Sequence, residues 1–478
     1  MGTSRMPENQ NRIPEHVSKV HLIAVCGTGM GALACMLKNL GLEISGSDQN
    51  IYPPMSDFLR EQGIQIMEGF KAEHICGEPD LVIVGNAVSR DNPEVQRLMR
   101  AGIPFCSMPQ ALNHFVARDK KTIVICGTHG KTTTSSILAW VLYQAGLDPS
   151  FMIGGILQNF GSNYRLGGGE HIIIEGDEYD TAFFDKGPKF MHYRPAMTVL
   201  TSVEFDHADI FRDLNHVRMA FGDFLSKLDG SSTLFAFDAD QNVKKLLAEA
   251  ACRIQLYGQN NACDWYLGPV RIDLPWTHFE VLKPDGLFAR FKTKMIGRHN
   301  LFNALPVIAI AHHLGVPVQK ISRGLETFEG IKRRQQIRGQ KNQVMVIDDF
   351  AHHPTAVRKT IEAVKSAYSH KRLIAVFEPR TNSSMRKVFQ NTYPSSFDHA
   401  DLICIRKPPL LEKIPPHERF SSEQLVADLK NRGKDAHYFP DTESIIGFLV
   451  RQATPGDLIL VMSNGGFDNI HQRLLESL

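Results

Sequence analysis

A multi-domain α/β fold built on parallel sheets is what this sequence predicts, on three observations. From Val20 almost to the C-terminus, short apolar β-rich runs alternate with longer helical stretches, the pattern of parallel strands covered on both faces. Two Gly-rich turns, AVCGTGMGALA (24–34) and VICGTHGKTTT (124–134), each join such a run to a helical one. The length, 478 residues, exceeds what one ordinary core organises, so two or three domains are expected.

Taken in order, VHLIAVCG (20–27) reads as a strand, MGALACMLKNLG (30–41) as a helix and LEISGSD (42–48) as a second strand. DFLREQG and PEVQRLMRAG read as helices around the strands DLVIVGN (80–86) and IPFCS (103–107). The polar junction at 116–119 closes this unit, and the expected boundary is 1–118. A second unit, 119–330, opens with the strand KTIVICG (121–127) and a helix from Thr132 to about Ala145. HIIIEGDEYD (171–180), AMTVLTSVEFDH (196–207) and STLFAFDAD (232–240) read as further strands ending in acids. Residues 251–296 alternate apolar and polar positions, as an antiparallel insert does, and GRHNLFNALPVIAIAHHLG (297–315) reads as one helix. TFEGIKRRQQIRG (327–339) marks the next boundary. The third unit, 331–478, carries the strand-like runs VMVIDDFAHHP (344–354), RLIAVFEPR (372–380), DLICIRK (401–407), DAHYFPD (435–441) and GDLILVMSNGG (456–466).

Composition narrows the function classes. With 43% hydrophobic and 22% charged residues the chain has the make-up of a soluble globular protein. A net charge of +2 points to neither nucleic acid nor a membrane surface. Its eight cysteines (26, 35, 76, 106, 126, 252, 263, 404) show no Cys-x-x-Cys spacing, so reduced, buried thiols are expected rather than a disulfide framework or zinc ribbon. MGTSRMPENQNRIPEH lacks the apolar core of a signal peptide, and ALPVIAIA (304–311) is far shorter than a membrane span. A cytoplasmic protein is expected.

In the first turn, Gly27, Gly29 and Ala32 match the dinucleotide pattern Gly-x-Gly-x-x-Gly/Ala, and Asp48 ends the next strand. The N–H groups of such a helix N-terminus suit any diphosphate, so NAD, FAD and a UDP-sugar all stay open. A ligand-free strand–helix turn would carry the same glycines. The second turn departs from the general phosphate-loop pattern, because Ile125 stands where the first Gly belongs. Gly127, Gly130, Lys131 and Thr132 remain. They suffice for the chemistry: backbone N–H groups cradle phosphate oxygens, Lys131 reaches the outer phosphates, and the Thr132 hydroxyl ligates Mg²⁺. Glu175 ends HIIIE, where a parallel strand delivers a carboxylate beside that loop, and Asp206-His207 ends another run. Glu175 is the primary candidate ligand for Mg²⁺, with His207 an additional one. Alone, each acid reads equally well as a helix cap or a solvated strand end.

With these segments in order, the chain resembles the Mur ligases, the ATP-dependent amide-forming enzymes of bacterial cell-wall synthesis. GTHGKTTT is similar to their ATP loop, EGDEYD and EFDHAD to their metal segments, GRHNLFNA to their adenine segment and DDFAHHPT (348–355) to the opening of their third domain. The resemblance runs from about residue 20 to the end. NIYPPMSDFL (50–59), DEYDTAFFDKGPKF (177–190), EFDHADIF (204–211), FEPRTN (377–382) and VMSNGGF (461–467) resemble members that join a recycled peptide more than those that add free L-alanine.

The resemblance implies an N-terminal Rossmann-like domain that binds UDP-sugar, a central P-loop ATPase with a mostly parallel sheet, and a C-terminal Rossmann-like domain that receives the amine. The implied reaction joins UDP-N-acetylmuramate to the murein tripeptide L-alanyl-γ-D-glutamyl-meso-diaminopimelate with consumption of ATP, through an acyl phosphate. ATP falls to Gly127, Thr128, His129, Gly130, Lys131, Thr132, Thr133, Asn300, Asn303, Arg334 and Asp349, and metal to Thr132, Glu175 and His207. UDP-sugar falls to Gly27, Thr28, Gly29, Met30, Gly31, Ser47, Asp48 and Asn86. Its muramate part falls to Asn159, Asn163, Arg165, Asp177 and Glu178. Lys131 is the implied catalytic cation, and His207, Asp349 and His352 are candidates for taking the amine proton; His353 reads as an ordinary hydrogen-bonded residue. Arg380, Asn382, Ser463 and Asn464, at predicted strand ends, are the candidates for the peptide.

Two departures accompany the resemblance. Gln335 follows Arg334 where relatives often carry an aromatic or aliphatic residue, and Gly222 stands near the position where some relatives have a carbamylated lysine, so none is expected. Domain closure about junctions 117–121 and 329–333 is expected, in a monomer or homodimer. The rival readings are an NAD-dependent oxidoreductase resting on the first turn, a nucleotide-switched regulatory protein, and a ligase for free L-alanine.

Overall fold

The structure, a computed structural model, describes residues 10–75 and 79–478. Residues 1–9 and Cys76 lie outside them, so the first nine positions of the N-terminal reading and one cysteine expectation have no structural counterpart here. Two compact units are present. Of the described residues, one unit comprises those up to Val203 with Arg218–Tyr257 and Pro306–Gly324, the other Glu204–Val217, Gly258–Leu305 and Leu325–Leu478.

The first unit opens with strands β1 (Lys19–Ile23), β2 (Glu43–Asp48), β3 (Gln65–Glu68), β4 (Leu81–Val84) and β5 (Phe105–Ser107), in the order β3-β2-β1-β4-β5. All are parallel. Helices α1 (Thr28–Asn39), α2 (Met55–Glu61) and α3 (Pro93–Ala101) lie between these strands in sequence, and α4 (Met108–Leu112) follows β5. Sequence dictates these boundaries locally. Asn92 caps α3 by accepting from Glu94 N and Val95 N, Pro93 takes the first helical position, and Gly102 (φ 69°) ends the helix in the left-handed region.

A second sheet holds β6 (Lys121–Cys126), β7 (Ser150–Leu157), β8 (Ser162–Arg165), β9 (His171–Gly176), β12 (Met197–Leu200), β13 (Thr233–Phe237) and β14 (Arg253–Gly258). Its order within this unit is β14-β13-β12-β6-β9-β7-β8, and only the β8 edge is antiparallel. Helices α5 (Lys131–Gln144) and α7 (Gln241–Leu246) lie between its strands in sequence, and β10 (Asp180–Ala182) and β11 (Asp185–Pro188) form a small hairpin. Three helices, α6 (Leu214–Leu225), α8 (Arg298–His313) and α9 (Val318–Thr327), have residues in both units.

The second unit contains the antiparallel meander β15 (Trp265–Asp273), β16 (Trp276–Lys283) and β17 (Gly286–Thr293). Its main sheet has strands β18 (Gln336–Lys341), β19 (Val344–Asp349), β20 (Leu373–Phe377), β21 (Leu402–Arg406), β22 (Ala436–Phe439) and β23 (Leu458–Met462), ordered β18-β19-β23-β20-β21-β22. Only β18 is antiparallel. Helices α10 (Pro354–Ala367), α11 (Ser422–Asn431), α12 (Thr442–Gln452) and α13 (Ile470–Ser477) complete it. The apolar run LIAVF explains why both faces are covered. Leu373, Ala375 and Phe377 enter one core, and Ile374 and Val376 enter the other.

Two sequence expectations are corrected. The run 196–207 is a strand only to Leu200, because Val203 N turns away to Asp240 Oδ2 (2.8 Å) and Asp206-His207 therefore lies in a loop. Of the insert 251–296, residues 253–258 pair in parallel with β13, and only 265–293 are antiparallel. Between β20 and β21 the chain runs through short 3₁₀ turns. Among the described residues no helix is long and apolar enough to cross a membrane.

Candidate active site

The second glycine turn is built by close backbone approach. Gly127 has φ 124°, and a Cβ there would stand 2.3 Å from Thr201 Oγ1 and 2.8 Å from Ser202 N and O. No side chain fits. The hydroxyl-rich end of β12 fastens the loop: Thr128 N donates to Ser202 O (2.9 Å) and His129 N to Ser202 Oγ (2.9 Å). Gly130, also left-handed (φ 84°), then turns the chain into α5, with Lys131, Thr132 and Thr133 in its first turn.

Parallel pairing of β6 with β9 sets Ile125 beside Glu175 and Cys126 beside Gly176, which brings the acidic segment to the loop. Lys131 Nζ donates to Gly127 O (2.5 Å) and to both Glu178 oxygens (2.7 and 3.1 Å). Burial opposes its charge, but the carboxylates of Glu178, Asp177 and Glu175 outweigh burial and hold the ammonium above the ordinary lysine range. Thr132 Oγ1 donates to Glu175 Oε1 (3.0 Å), and Gly154 N to Glu175 Oε2 (2.8 Å). Burial nevertheless raises the Glu175 carboxyl above its usual value, against Lys131 and those hydrogen bonds. A hydroxyl and an under-compensated carboxylate 3.0 Å apart form a hard oxygen donor pair, which fits Mg²⁺. Asp177 is held by Lys189, a partner that the sequence reading missed.

The first turn shares the Cys-Gly-Thr signature but carries no cation. Gly31 N donates to Gly27 O (2.8 Å), and a Cβ at Gly31 would stand 2.6 Å from Met55 Cε. Asp48 accepts from Cys26 N (2.8 Å) and Asn50 N (2.8 Å), one bond per oxygen. Ser47 Oγ donates to the buried Glu94 (2.6 Å). Asn163, fully buried, donates to Thr28 O and Ile153 O (3.3 Å each), while its Oδ1 has no partner among the described residues. Thr28 and Asn163, far apart in sequence, are thus brought together. Arg165 is engaged by Asp148 (2.6 Å) and Pro149 O (3.1 Å) and lies over the Tyr143 ring. Asn159 lies in the turn between β7 and β8, and Asn86 is exposed just past β4.

The remaining candidates belong to the second unit. Asn300 Nδ2 donates to Ile296 O (2.9 Å) and Gln335 Oε1 (3.1 Å), Asn303 Nδ2 approaches Asn300 Oδ1 (3.5 Å), and Arg334 lies over the Phe350 ring at 4.9 Å. Asp349 accepts from Gln335 N and Ala351 N (2.8 Å each) and from Thr360 Oγ1 (3.3 Å); burial raises its carboxyl against the Arg334 charge. His207 has φ 53°, and its N–H donates to Asp206 Oδ1 (2.7 Å). Asp206 is buried, yet His207, His352 and His353 hold its carboxyl below the ordinary range. His353 uses both ring nitrogens, at Phe205 O (3.1 Å) and as the N-cap of α10 at Thr355 N (3.2 Å), an ordinary structural role. His352 Nδ1 donates to Phe350 O (3.0 Å). Ser463 Oγ donates to Glu378 (2.7 Å), Arg380 Nη1 lies 3.8 Å from that carboxylate, and Asn382 donates to Asp209 (2.9 Å). Arg333 donates to the carbonyls of Ser463, Asn464 and Gly465.

Sequence reading missed Thr201, Ser202, Lys189 and Arg333, and it named Gln335 only as a departure from the relatives.

Three domain families match in order: "Mur ligase family, catalytic domain" over residues 19–120, "Mur ligase middle domain" over 125–311, and "Mur ligase, glutamate ligase domain" over 333–465. The UDP-N-acetylmuramate–L-alanyl-γ-D-glutamyl-meso-2,6-diaminoheptandioate ligase of Haemophilus influenzae is 39% identical over 462 residues, covering 96% of this chain and 99% of the relative. The UDP-N-acetylmuramate–L-alanine ligase of Acetivibrio thermocellus is 32% identical, with 97% of each chain covered. Among solved structures, a murein peptide ligase from Psychrobacter arcticus superposes with a TM-score of 0.71 at 34% identity, covering 96% of this chain and 98% of that one. The chain has the three-domain α/β fold and belongs to the Mur ligase family of ATP-dependent amide-forming enzymes.

Proposed function

We propose that this enzyme joins the lactyl carboxylate of UDP-N-acetylmuramate to the amine of L-alanyl-γ-D-glutamyl-meso-diaminopimelate, recycling a murein tripeptide in the cytoplasm. The pairing of Lys131 and Thr132, at one helix start, with Glu178 and Glu175 from the adjoining strand and loop carries the reading. The relative that shares 39% of its residues is named for this substrate pair, which supports the choice of acceptor.

A carboxylate is a poor acyl donor because its leaving group would be oxide. Attack of a carboxylate oxygen on the γ-phosphorus of ATP forms an acyl phosphate and releases ADP. Attack of the neutral amine on the carbonyl then expels phosphate, and the amine's proton passes to a base. Lys131 offsets charge on the phosphoryl oxygens, and positioning supplies much of the remainder. Thr132 and Glu175 would hold Mg²⁺, with His207 a further proposed ligand; bound there, the ion neutralises charge on the phosphates. For proton removal we favour His352, whose Nδ1 bonds Phe350 O (3.0 Å) and whose Nε2 lies 3.9 Å from Asp206. Residues 1–118 are assigned to the UDP-sugar, 119–330 to ATP, and 331–478 to the peptide, with Arg380, Asn382, Ser463 and Asn464 as its contacts.

An ADP-release assay with UDP-N-acetylmuramate and a panel of L-alanine, dipeptide and tripeptide acceptors tests the reading. ADP release that requires both the sugar nucleotide and the tripeptide is expected. Equal turnover with free L-alanine would reassign the acceptor, and acceptor-independent release would remove the ligase reading altogether.

A further inference from the structure

We propose that Gln335 reads the purine base of ATP, donating a hydrogen bond from Nε2 to a ring nitrogen. The inference rests on the ligase reading and assigns a base contact to a residue outside the ATP set above.

The orientation of the Gln335 amide follows from an anchored chain of hydrogen bonds. Ile296 O can only accept, so the Asn300 group 2.9 Å from it is the amide nitrogen. That nitrogen also lies 3.1 Å from Gln335, so the Gln335 atom facing it is the carbonyl oxygen Oε1. The other end of the Gln335 side chain is therefore Nε2, a donor. It is buried and has no acceptor among the described residues. A buried donor left unmade costs stability, so a position that keeps one calls for an external partner.

Backbone strain marks the same place. Arg333 (φ 62°) and Gln335 (φ 50°) are both left-handed although neither is glycine. The surroundings enforce this: Gln335 N donates to Asp349 Oδ2 (2.8 Å), Arg333 N to Gln336 Oε1 (2.9 Å), and Phe350 N to Arg333 O (2.8 Å). Strain held by several independent bonds is characteristic of ligand clamps. Beside it, the Arg333 and Arg334 guanidinium groups lie 5.2 and 4.9 Å from the Phe350 ring centroid. Planar cations on an aromatic ring offer flat surfaces against which a base can stack. A donor beside stacking surfaces suits a heteroaromatic ring with in-plane lone pairs. The ring nitrogens of a purine supply them.

Calorimetric binding of ATP and its 1-, 3- and 7-deaza analogues to the full-length protein tests this, because each analogue deletes one ring acceptor. Wild type should bind one analogue about tenfold more weakly than ATP, the loss of one good hydrogen bond. In Gln335→Glu, which keeps an oxygen for Asn300 but loses the donor, that difference should collapse to less than twofold. Gln335→Met should behave likewise, and it serves if the added carboxylate perturbs folding. If wild type binds all three analogues as tightly as ATP, or if both variants keep the wild-type discrimination, the donor is met by water and the proposal falls. Absence of any ATP binding would defeat the ligase reading itself, and this inference with it.

Discussion

The two glycine turns share Cys-Gly-Thr and the same strand-to-helix setting, yet their surroundings differ in charge. Around the first, Asp48 has each oxygen engaged by a backbone N–H. Around the second, the Lys131 ammonium is held by the carboxylates of Glu178, Asp177 and Glu175. The first arrangement leaves a helix N-terminus that attracts a diphosphate without acting on it. The second concentrates opposing charges where a phosphoryl group transfers. Matching a glycine pattern thus says less about chemistry than what the neighbouring strand delivers to the turn.

Substitutions that separate the turns rank by expected effect. Lys131→Met should lower kcat/KM by roughly a thousandfold or more, as loss of a phosphate-neutralising cation does. It should also destabilise the fold by about 3 kcal/mol, because the buried Glu178 carboxylate loses the Lys131 ammonium. Lys131→Met/Glu178→Gln should recover the melting temperature while activity stays lost. Full activity in either variant would mean that the second turn is not the catalytic one.

Next come paired glycine substitutions. Gly127→Ala places a methyl 2.3 Å from Thr201 Oγ1 at φ 124°, whereas the nearest atom to a Cβ at Gly29 is Met108 Cε at 3.5 Å. Denaturant melts should show a loss of about 3 kcal/mol or more for Gly127→Ala and under about 1 kcal/mol for Gly29→Ala. Similar losses at both sites would erase the structural contrast.

Glu175 gives the contrast a pH signature. Its folded carboxyl lies above the unfolded value, so below pH 4.5 both states are protonated and the group is neutral to stability. As pH rises, the unfolded chain releases its proton first, and wild type loses stability relative to Glu175→Gln. The variant's melting temperature should therefore gain on wild type between pH 4 and pH 8 in metal-free buffer, while its Mg²⁺-dependent turnover falls. A wild-type advantage that grows with pH would reverse the assignment.

How far the sequence reached follows from these contacts. Strands such as LIAVF and LILVM were legible because burial on both faces requires unbroken apolar runs. The edge strands β3 and β18, with QIME and QIRGQK, were not, since one-sided exposure leaves them polar. VEFDH misled for the opposite reason: Phe205 is apolar because it packs on the second unit's core, not because it sits in a strand. Within the candidate site, residues carrying their own signature (Lys131, Thr132, Glu175) could be named. Ser202 and Lys189 matter only through the backbone or acid they meet, and Gln335 through an amide 35 positions away, and no local pattern encodes such meetings.

The smallest expected effect is also the sharpest test of the first turn. Asp48→Asn keeps one oxygen acceptor and loses the second, so either Cys26 N or Asn50 N gives up its bond. The cost should be about 1 kcal/mol in stability. If Asp48 only shapes the turn, KM for UDP-N-acetylmuramate should change less than about threefold, a difference of roughly 0.6 kcal/mol. A dinucleotide-type acid bonds the ribose directly, and its amide variant would weaken binding by tenfold or more. A tenfold rise in KM without loss of stability would show that Asp48 leaves its backbone partners to meet the ligand. The first turn would then be a recognition site that rearranges, rather than a preformed cradle.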